Sequence, residues 1–380
     1  DKKVQGLAVN FNFGDEDSKT NVFASAALVK GQYAKSTLTG QEGNQGPYKL
    51  TGQNGELYIL VISGSERVYV NGILLKRGEN KDYTIDYNAG EITFTSLFTI
   101  TSEMRISIEY QYSNQNYTRF VTYAGVTHEN KKWSFGGYLY SENDLKNQPL
   151  QQNLTKEQVA ILSNAGDDTN AMIAPSAYAD TYSDNKILYK KTIVNGEEVY
   201  EFSNDPKEEL YNVKFNLIGA QSANYILKNV NTIDRIYEYV APINGIPQGN
   251  YAPIVKLVAP IKIQVATFLG KYNPTEKTNF DFEIGVSNND ANLFSNVQDN
   301  DNKGIAAKIN AKQRLFSKSW NLDAFINYQF IQQNFKSVER LYNIEFDRDW
   351  NLPATRFGNQ SLLISGLNFD LFPQKKSSDI

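Results

Sequence analysis

Residues 321–330 read NLDAFINYQF, and this stretch decides the fold. Leu322, Ala324, Ile326, Tyr328 and Phe330 fall on one side of an extended chain. Asn321, Asp323, Asn327 and Gln329 fall on the other. Side chains of a strand point alternately to its two faces, so a period of two predicts a long strand with one apolar and one polar face. The same pattern recurs upstream. Phe280, Phe282, Ile284 and Val286 alternate with Asn279, Asp281 and Glu283, and Ile305, Ala307, Ile309 and Ala311 alternate with Lys308, Asn310 and Lys312. Near the start, Leu7, Val9, Phe11 and Phe13 share a face, and after the polar turn GDEDSKTN the small-residue run Val22–Val29 predicts a strand returning antiparallel.

Composition agrees with this pattern. The chain has 380 residues, with 24 Tyr, 21 Phe and 42 Asn, a mixture that favours strands joined by polar turns. It has no Cys and a single His, which removes disulfide scaffolds, thiolate zinc sites, cysteine nucleophiles and any site needing two histidines. The balance of 38 basic against 42 acidic residues leaves a net charge of −4 and no electrostatic footprint for nucleic acid. The opening DKKVQGLAVNFNFG has no basic-then-apolar leader, and the polar ending FPQKKSSDI is unlike a closing strand, which suggests a piece of something longer. The longest apolar run, Leu57–Ile62, is far below the ~20 residues of a membrane helix, but a membrane strand needs only ~9–11.

Five segments follow. Residues 1–50 form an amphipathic strand pair, and 51–116 a compact β module. In that module Asn71-Gly72 predicts a type I′ hairpin turn and Asn88-Ala89-Gly90 a second turn. Met104, Ile106, Ile108, Tyr110 and Tyr112 then make a final amphipathic strand of a sandwich or meander. Residues 117–186 hold a strand hairpin, one short helix and an exposed connection from 167. The helix is capped by Thr155 with Gln158 as its capping-box partner, carries Leu154, Val159, Ile161 and Leu162 as its apolar stripe, and stops at Gly166. Residues 187–272 contain a hairpin around Asn195-Gly196 and, over 241–260, an extended Pro-rich strap. Residues 273–380 return to long amphipathic strands. The predicted class is all-β, mainly antiparallel sheets of sandwich or barrel type, with one short helix.

Several phrases carry a family resemblance: ERVYVNGILLKRG with DYTIDYNAGEITFT and RISIEYQYS, DRIYEYVAPINGIPQGNYAP with KLVAP, and GVSNNDANLFSNVQDNDNKGIAAK with SVERLYNIEFDRDWNL. Together, over about residues 20–352, they resemble large, mostly uncharacterised β-rich outer-membrane or cell-surface proteins of Bacteroidota-type bacteria. The motifs are structural, so the resemblance implies location and fold more than activity.

Candidate sites are few. Asp299 and Asp301, in SNVQDNDNKG, offer hard oxygens to calcium, although Lys303 breaks the EF-hand pattern and an Asx-rich turn explains the same residues. In EFDRDW, an extended reading places Glu345, Asp347 and Asp349 on one face at a spacing that paired-carboxylate chemistry permits; Glu339 and Arg340 suggest a structural charge network there, with Trp350 as the strand's anchor. His128 is placed on a polar turn and given no chemistry, and the glycine motifs at 40–46 and 50–56 read as turns. Exposed tyrosines, among them Tyr110, Tyr112, Tyr117, Tyr123, Tyr138 and Tyr140, suit sugar stacking, a membrane-interface girdle or cross-strand pairing.

The expectation is a non-enzymatic scaffold of an outer-membrane-associated assembly. It would sit in the outer membrane or at the cell surface, with membrane and other surface proteins as partners, no nucleic acid and no cofactor beyond the calcium candidate. A transport barrel and a glycan-binding surface protein are the alternatives.

Overall fold

A computed structural model describes residues 5–15, 17–29, 31–53, 58–113, 117–149, 154–230, 235–352 and 358–371. Both chain ends and the tip of the glycine motif at 54–56 lie outside the described residues. The chain divides into two units, one of residues 1–153, 260–293 and 298–380, the other of 154–259 and 294–297.

The first unit is built on a nine-stranded sheet. Its strands are β1 (Gln5–Gly14), β2 (Ser18–Val29), β3 (Tyr117–Asn130), β4 (Trp133–Pro149), β5 (Lys262–Thr275), β6 (Thr278–Asp290), β7 (Lys303–Ser317), β8 (Asn321–Ile331) and β9 (Gln360–Asp370). They pair in chain order, every pair antiparallel. The alternating runs of the sequence are therefore strands of this sheet, in the expected return of Val22–Val29 against β1.

Connections differ at the two ends. At one end they are tight: residues 15–17, 131–132, 276–277 and 318–320. Asx turns form two of them, Asp15 Oδ1 accepting from the Asp17 and Ser18 N–H groups and Asn130 Oδ1 from those of Lys132 and Trp133. At the other end the chain makes long excursions, over 30–116, 150–261, 291–302 and 332–359.

The excursion between β2 and β3 is a β-sandwich. One sheet orders Gly31–Thr39, Arg105–Ser113, Arg67–Val70 and Ile73–Leu74; the other orders Tyr48–Lys49, Glu91–Phe94 and Tyr83–Asp86. Leu50, Val68, Ile92, Ile100, Ile106, Ile108 and Tyr110 are fully buried between them. The Asn71-Gly72 turn has φ of 49° and 84°, the left-handed pair that a two-residue hairpin needs.

The second unit contains helix α1 (Lys156–Ala165), with the predicted capping box and Leu162 buried against Met172, Ala174, Leu257 and Ala259. Two four-stranded sheets complete it, one of them holding the Asn195-Gly196 hairpin. The stretch 167–186, expected to be a bare connection, contributes the strand Ile173–Pro175, which pairs with Ile254–Lys256 because Met172 and Ala174 are core residues. The prolines of 241–260 do confine that segment to strands of two and three residues.

Candidate functional site

The sheet's two faces differ: the charged side chains of its strands lie on one of them and not, between its borders, on the other. One face carries Leu7, Val9, Phe11 and Phe13 of β1, then Val22, Val126, Leu139, Phe268, Ile284, Ile309, Ile326 and Leu363 across the other strands, as the registers dictate. These side chains do not enter a core. Leu7 is 84% exposed, Leu139 63% and Leu363 61%. An apolar patch spanning nine strands far exceeds what a water-facing surface carries.

This outer face has ordered borders. Towards the long excursions Ser141, Gln264 and Asn288 form a hydrogen-bonded row, Gln264 Nε2 donating to Ser141 Oγ at 3.3 Å and Asn288 Nδ2 to Gln264 Oε1 at 3.2 Å. Towards the tight turns aromatic rings collect. Trp133 stacks on His128 at 4.9 Å and on Phe135 at 5.1 Å, and Trp320 stacks on Phe316 at 4.3 Å and on Phe369 at 6.0 Å. Between the borders the outward positions hold no Asp, Glu, Lys or Arg. From Gln264 to Tyr272 is eight steps, about 27 Å of strand at ~3.4 Å per residue. At the ~35–45° tilt of membrane barrels this projects to about 19–22 Å, against their ~25 Å apolar band.

His128 is thus a strand residue and not a turn residue. Its Nδ1 lies 2.8 Å from Thr20 Oγ1 of the adjacent strand, and the tight turn begins only after Asn130. Alternation through Val126 and His128 carries the strand further than the polarity of THENKK suggests.

The opposite, inner face is mixed: Phe23, Tyr123, Tyr138, Val265, Leu269, Phe325 and Ile364 lie on it beside charged and amide side chains that pair with one another. Asn21 Nδ2 donates to Asn12 Oδ1 at 2.8 Å, Asn310 Nδ2 to Asp281 Oδ2 at 2.6 Å, and Arg314 grips Asp323 through Nε at 2.7 Å and Nη2 at 3.2 Å. Near the long excursions Arg119 is buried between Asp144, at 2.6 Å, and Glu142, at 3.2 Å. Asp144 also accepts the Ile261 N–H at 3.0 Å, so the buried charges are paired and hydrogen-bonded.

Residues 332–342, the first part of the β8–β9 excursion, lie on this inner face as a strap, and 343–350 continue it towards the sandwich. Gln332 N donates to the Ile305 carbonyl, and Lys336 N to Ser287 Oγ at 3.0 Å. Two inward glycines make the seat. A Cβ on Gly304 would stand 2.2 Å from Phe335 N, and one on Gly285 would stand 3.3 Å from the Phe335 ring. Further on, Tyr342 OH donates to Gln329 Oε1 at 3.2 Å. Val338 and Glu339 border a cavity of about 660 Å³ with Ala8, Ser25, Val121, Tyr123 and Tyr140 of β1–β4.

The strap is also tied to the sandwich. Arg340 Nε lies 2.8 Å from Glu109 Oε1, and Nη2 donates to Tyr69 OH at 3.0 Å with the guanidinium over the Tyr69 ring. Arg105 Nε meets Glu345 Oε2 at 3.2 Å, and the Glu345 side chain packs against Gly72 of the hairpin turn. Glu109 is only 5% exposed, flanked by buried Ser107 and Gln111. Tyr33 OH donates to the same carboxylate at 3.1 Å, and burial followed by the Glu109 charge pushes the Tyr33 phenol well above its ordinary range.

Several expectations change here. EFDRDW is not extended: Phe346–Asp349 is a single helical turn, started by Asn343 Oδ1 accepting the Glu345 N–H, so Glu345, Asp347 and Asp349 do not share a face. Trp350 is exposed and anchors no strand; it packs beside Phe346. The charge network around Arg340 exists, but its partner is Glu109 in the sandwich, a pairing across the chain that no local pattern signals. Tyr110, Tyr112 and Tyr117 are buried, so they offer no sugar platform; Tyr110 OH meets Ser36 Oγ at 2.7 Å in the sandwich. Tyr123 stacks on Tyr138 on the inner face, at 6.2 Å.

Asp299 and Asp301 occupy one 3-10 turn, where Asp299 Oδ1 accepts from Asn302 Nδ2 at 3.2 Å, the hydrogen bonding of an Asx-rich turn. Among the described residues no three His, Asp or Glu side chains stand together as metal ligands.

The sequence family described as a domain of unknown function (DUF8818) matches residues 33–114, which is the sandwich. No curated protein and no solved structure matches the chain.

Proposed function

We propose that this chain is a non-enzymatic, structural part of the wall of a membrane-spanning β-barrel in a bacterial outer membrane. The observation that carries the reading is the outer face, uncharged and apolar across nine strands, exposed, and bordered by aromatic rings at the tight-turn end. Membrane barrels share this plan of short turns at one rim, long loops at the other and an outward apolar band. As a scaffold, the wall holds the sandwich at its long-loop rim and fixes the strap on its inner face. Residence in the outer membrane is tested by extraction: the chain stays in the membrane pellet through carbonate washing and dissolves in detergent. Recovery in the carbonate supernatant would refute the reading.

The inner face favours transport as a second role. Its charged and amide side chains suit contact with water, and the cavity beside Val338 and Glu339 leaves room beneath the strap. Conductance in planar bilayers separates the two, because a pure scaffold passes no current.

A further inference from the structure

A cavity of about 170 Å³ lies where the strap meets the sandwich. Arg67, Glu109 and Gln111 of the sandwich line it from one side, and Glu339 and Arg340 of the strap from the other. Arg67 and Glu109 are register partners on neighbouring strands, so the guanidinium and the carboxylate leave the sheet side by side.

Two of these charges are spent on each other. Glu109 is held by Arg340 and Tyr33. Arg340 has no donor to spare, because Nη2 reaches Tyr69 OH and Nη1 donates to the Tyr342 carbonyl at 3.2 Å. Three side chains are left over. Among the described residues, Arg67 and Glu339 make neither a side-chain hydrogen bond nor an ion pair, and the Gln111 amide has no hydrogen-bond partner although the residue is only 7% exposed. An amide placed so deep calls for a partner. A half-buried guanidinium gains most from a carboxylate, which its parallel N–H groups match.

Charge and size decide what fits. With Glu109 and Arg340 cancelling, the free groups are one cation, Arg67, and one anion, Glu339. A bare anion would satisfy the first and be repelled by the second, and a bare cation the reverse. A molecule carrying both a carboxylate and an ammonium group satisfies both and leaves the cavity neutral. A single water needs only ~10–15 Å³, and pockets for drug-sized molecules begin at ~300 Å³, so the space suits a small molecule.

We infer that this cavity binds a small zwitterion of the amino-acid type. Its carboxylate sits on Arg67, its ammonium on Glu339 and a polar substituent on the Gln111 amide.

Calorimetry on the full chain in detergent tests this, with the natural amino acids offered singly and the best binder then compared with its counterparts lacking the ammonium or the carboxylate. At least one amino acid with a polar side chain should bind, and either counterpart should bind about tenfold more weakly or worse. Arg67→Gln should abolish binding of the amino acid. Glu339→Gln changes an exposed strap residue and keeps the test decisive if Arg67→Gln fails to fold; it should erase the preference for the amino acid over its deaminated counterpart. Binding of no amino acid, a counterpart that binds wild type as tightly as its parent, or a preference that survives Glu339→Gln would each overturn the inference.

Discussion

Arg340 and Glu109 stand 231 positions apart in sequence and 2.8 Å apart in space, Nε to Oε1. Glu109 is buried on the polar face of a sandwich strand, and Arg340 reaches it from a segment that is otherwise seated on the inner face of the nine-stranded sheet. This contact joins the sandwich to the nine-stranded sheet through the strap.

Arg340→Ala leaves the Glu109 carboxylate buried with Tyr33 OH still donating to it. Loss of a charged hydrogen bond of this kind costs about 1.5–3 kcal/mol. Tryptic cleavage after Lys336 and Arg348 should accelerate about tenfold or more. Glu109→Gln should cost less, and the double variant less than the sum of the two, because the residues share one interaction.

The glycine seat gives an ordered pair of substitutions. Gly304→Ala puts a Cβ where the Asn334–Phe335 backbone lies, and the strap has to lift; Gly285→Ala meets only the Phe335 ring, which can turn aside. Protease accessibility of residues 332–350 should rise strongly in the first and little in the second. Equal behaviour would mean that the strap is not seated there.

Charge on the outer face should be punished and charge on the inner face tolerated. Ile309→Lys places an ammonium in the middle of the apolar band, at a cost of about 2–4 kcal/mol if that band faces lipid. Lys308→Gln, one residue away on the opposite face, should insert normally. The membrane-inserted fraction after urea washing reads the difference.

The raised Tyr33 phenol predicts a pH dependence of known sign. A group whose folded pKa lies above its unfolded value of about 10 stabilises fully below that value and loses its contribution as pH rises through the folded one. Wild type should therefore lose stability above about pH 10 more steeply than Tyr33→Phe, as read from denaturant midpoints.

Much of the nine-stranded sheet was legible in the sequence, because its signal is local. Alternation at Phe280–Val286, Ile305–Ala311 and Leu322–Phe330 specifies strand and face without any knowledge of partners. The turns at Asn71-Gly72 and Asn195-Gly196 were equally readable, since positive φ selects those residues. The strap was not. Its alternating acids suggested a strand, but Asn343 turns the chain into a helical turn, and what holds it is distant: Ser287, Gly304 and Glu109. Burial of Tyr110 and Tyr112 was hidden for a related reason, as alternation shows which side chains share a face and not what covers that face.

The most direct test of the account is spin-label accessibility along β7, using single cysteines at 305 to 311 in this cysteine-free chain, reconstituted in bilayers. Labels at 305, 307, 309 and 311 should relax with lipid-dissolved oxygen, and labels at 306, 308 and 310 with a water-soluble nickel chelate, in strict alternation. Uniform accessibility to the nickel chelate at all seven positions would show that the apolar face does not meet lipid, and the barrel-wall account would be wrong.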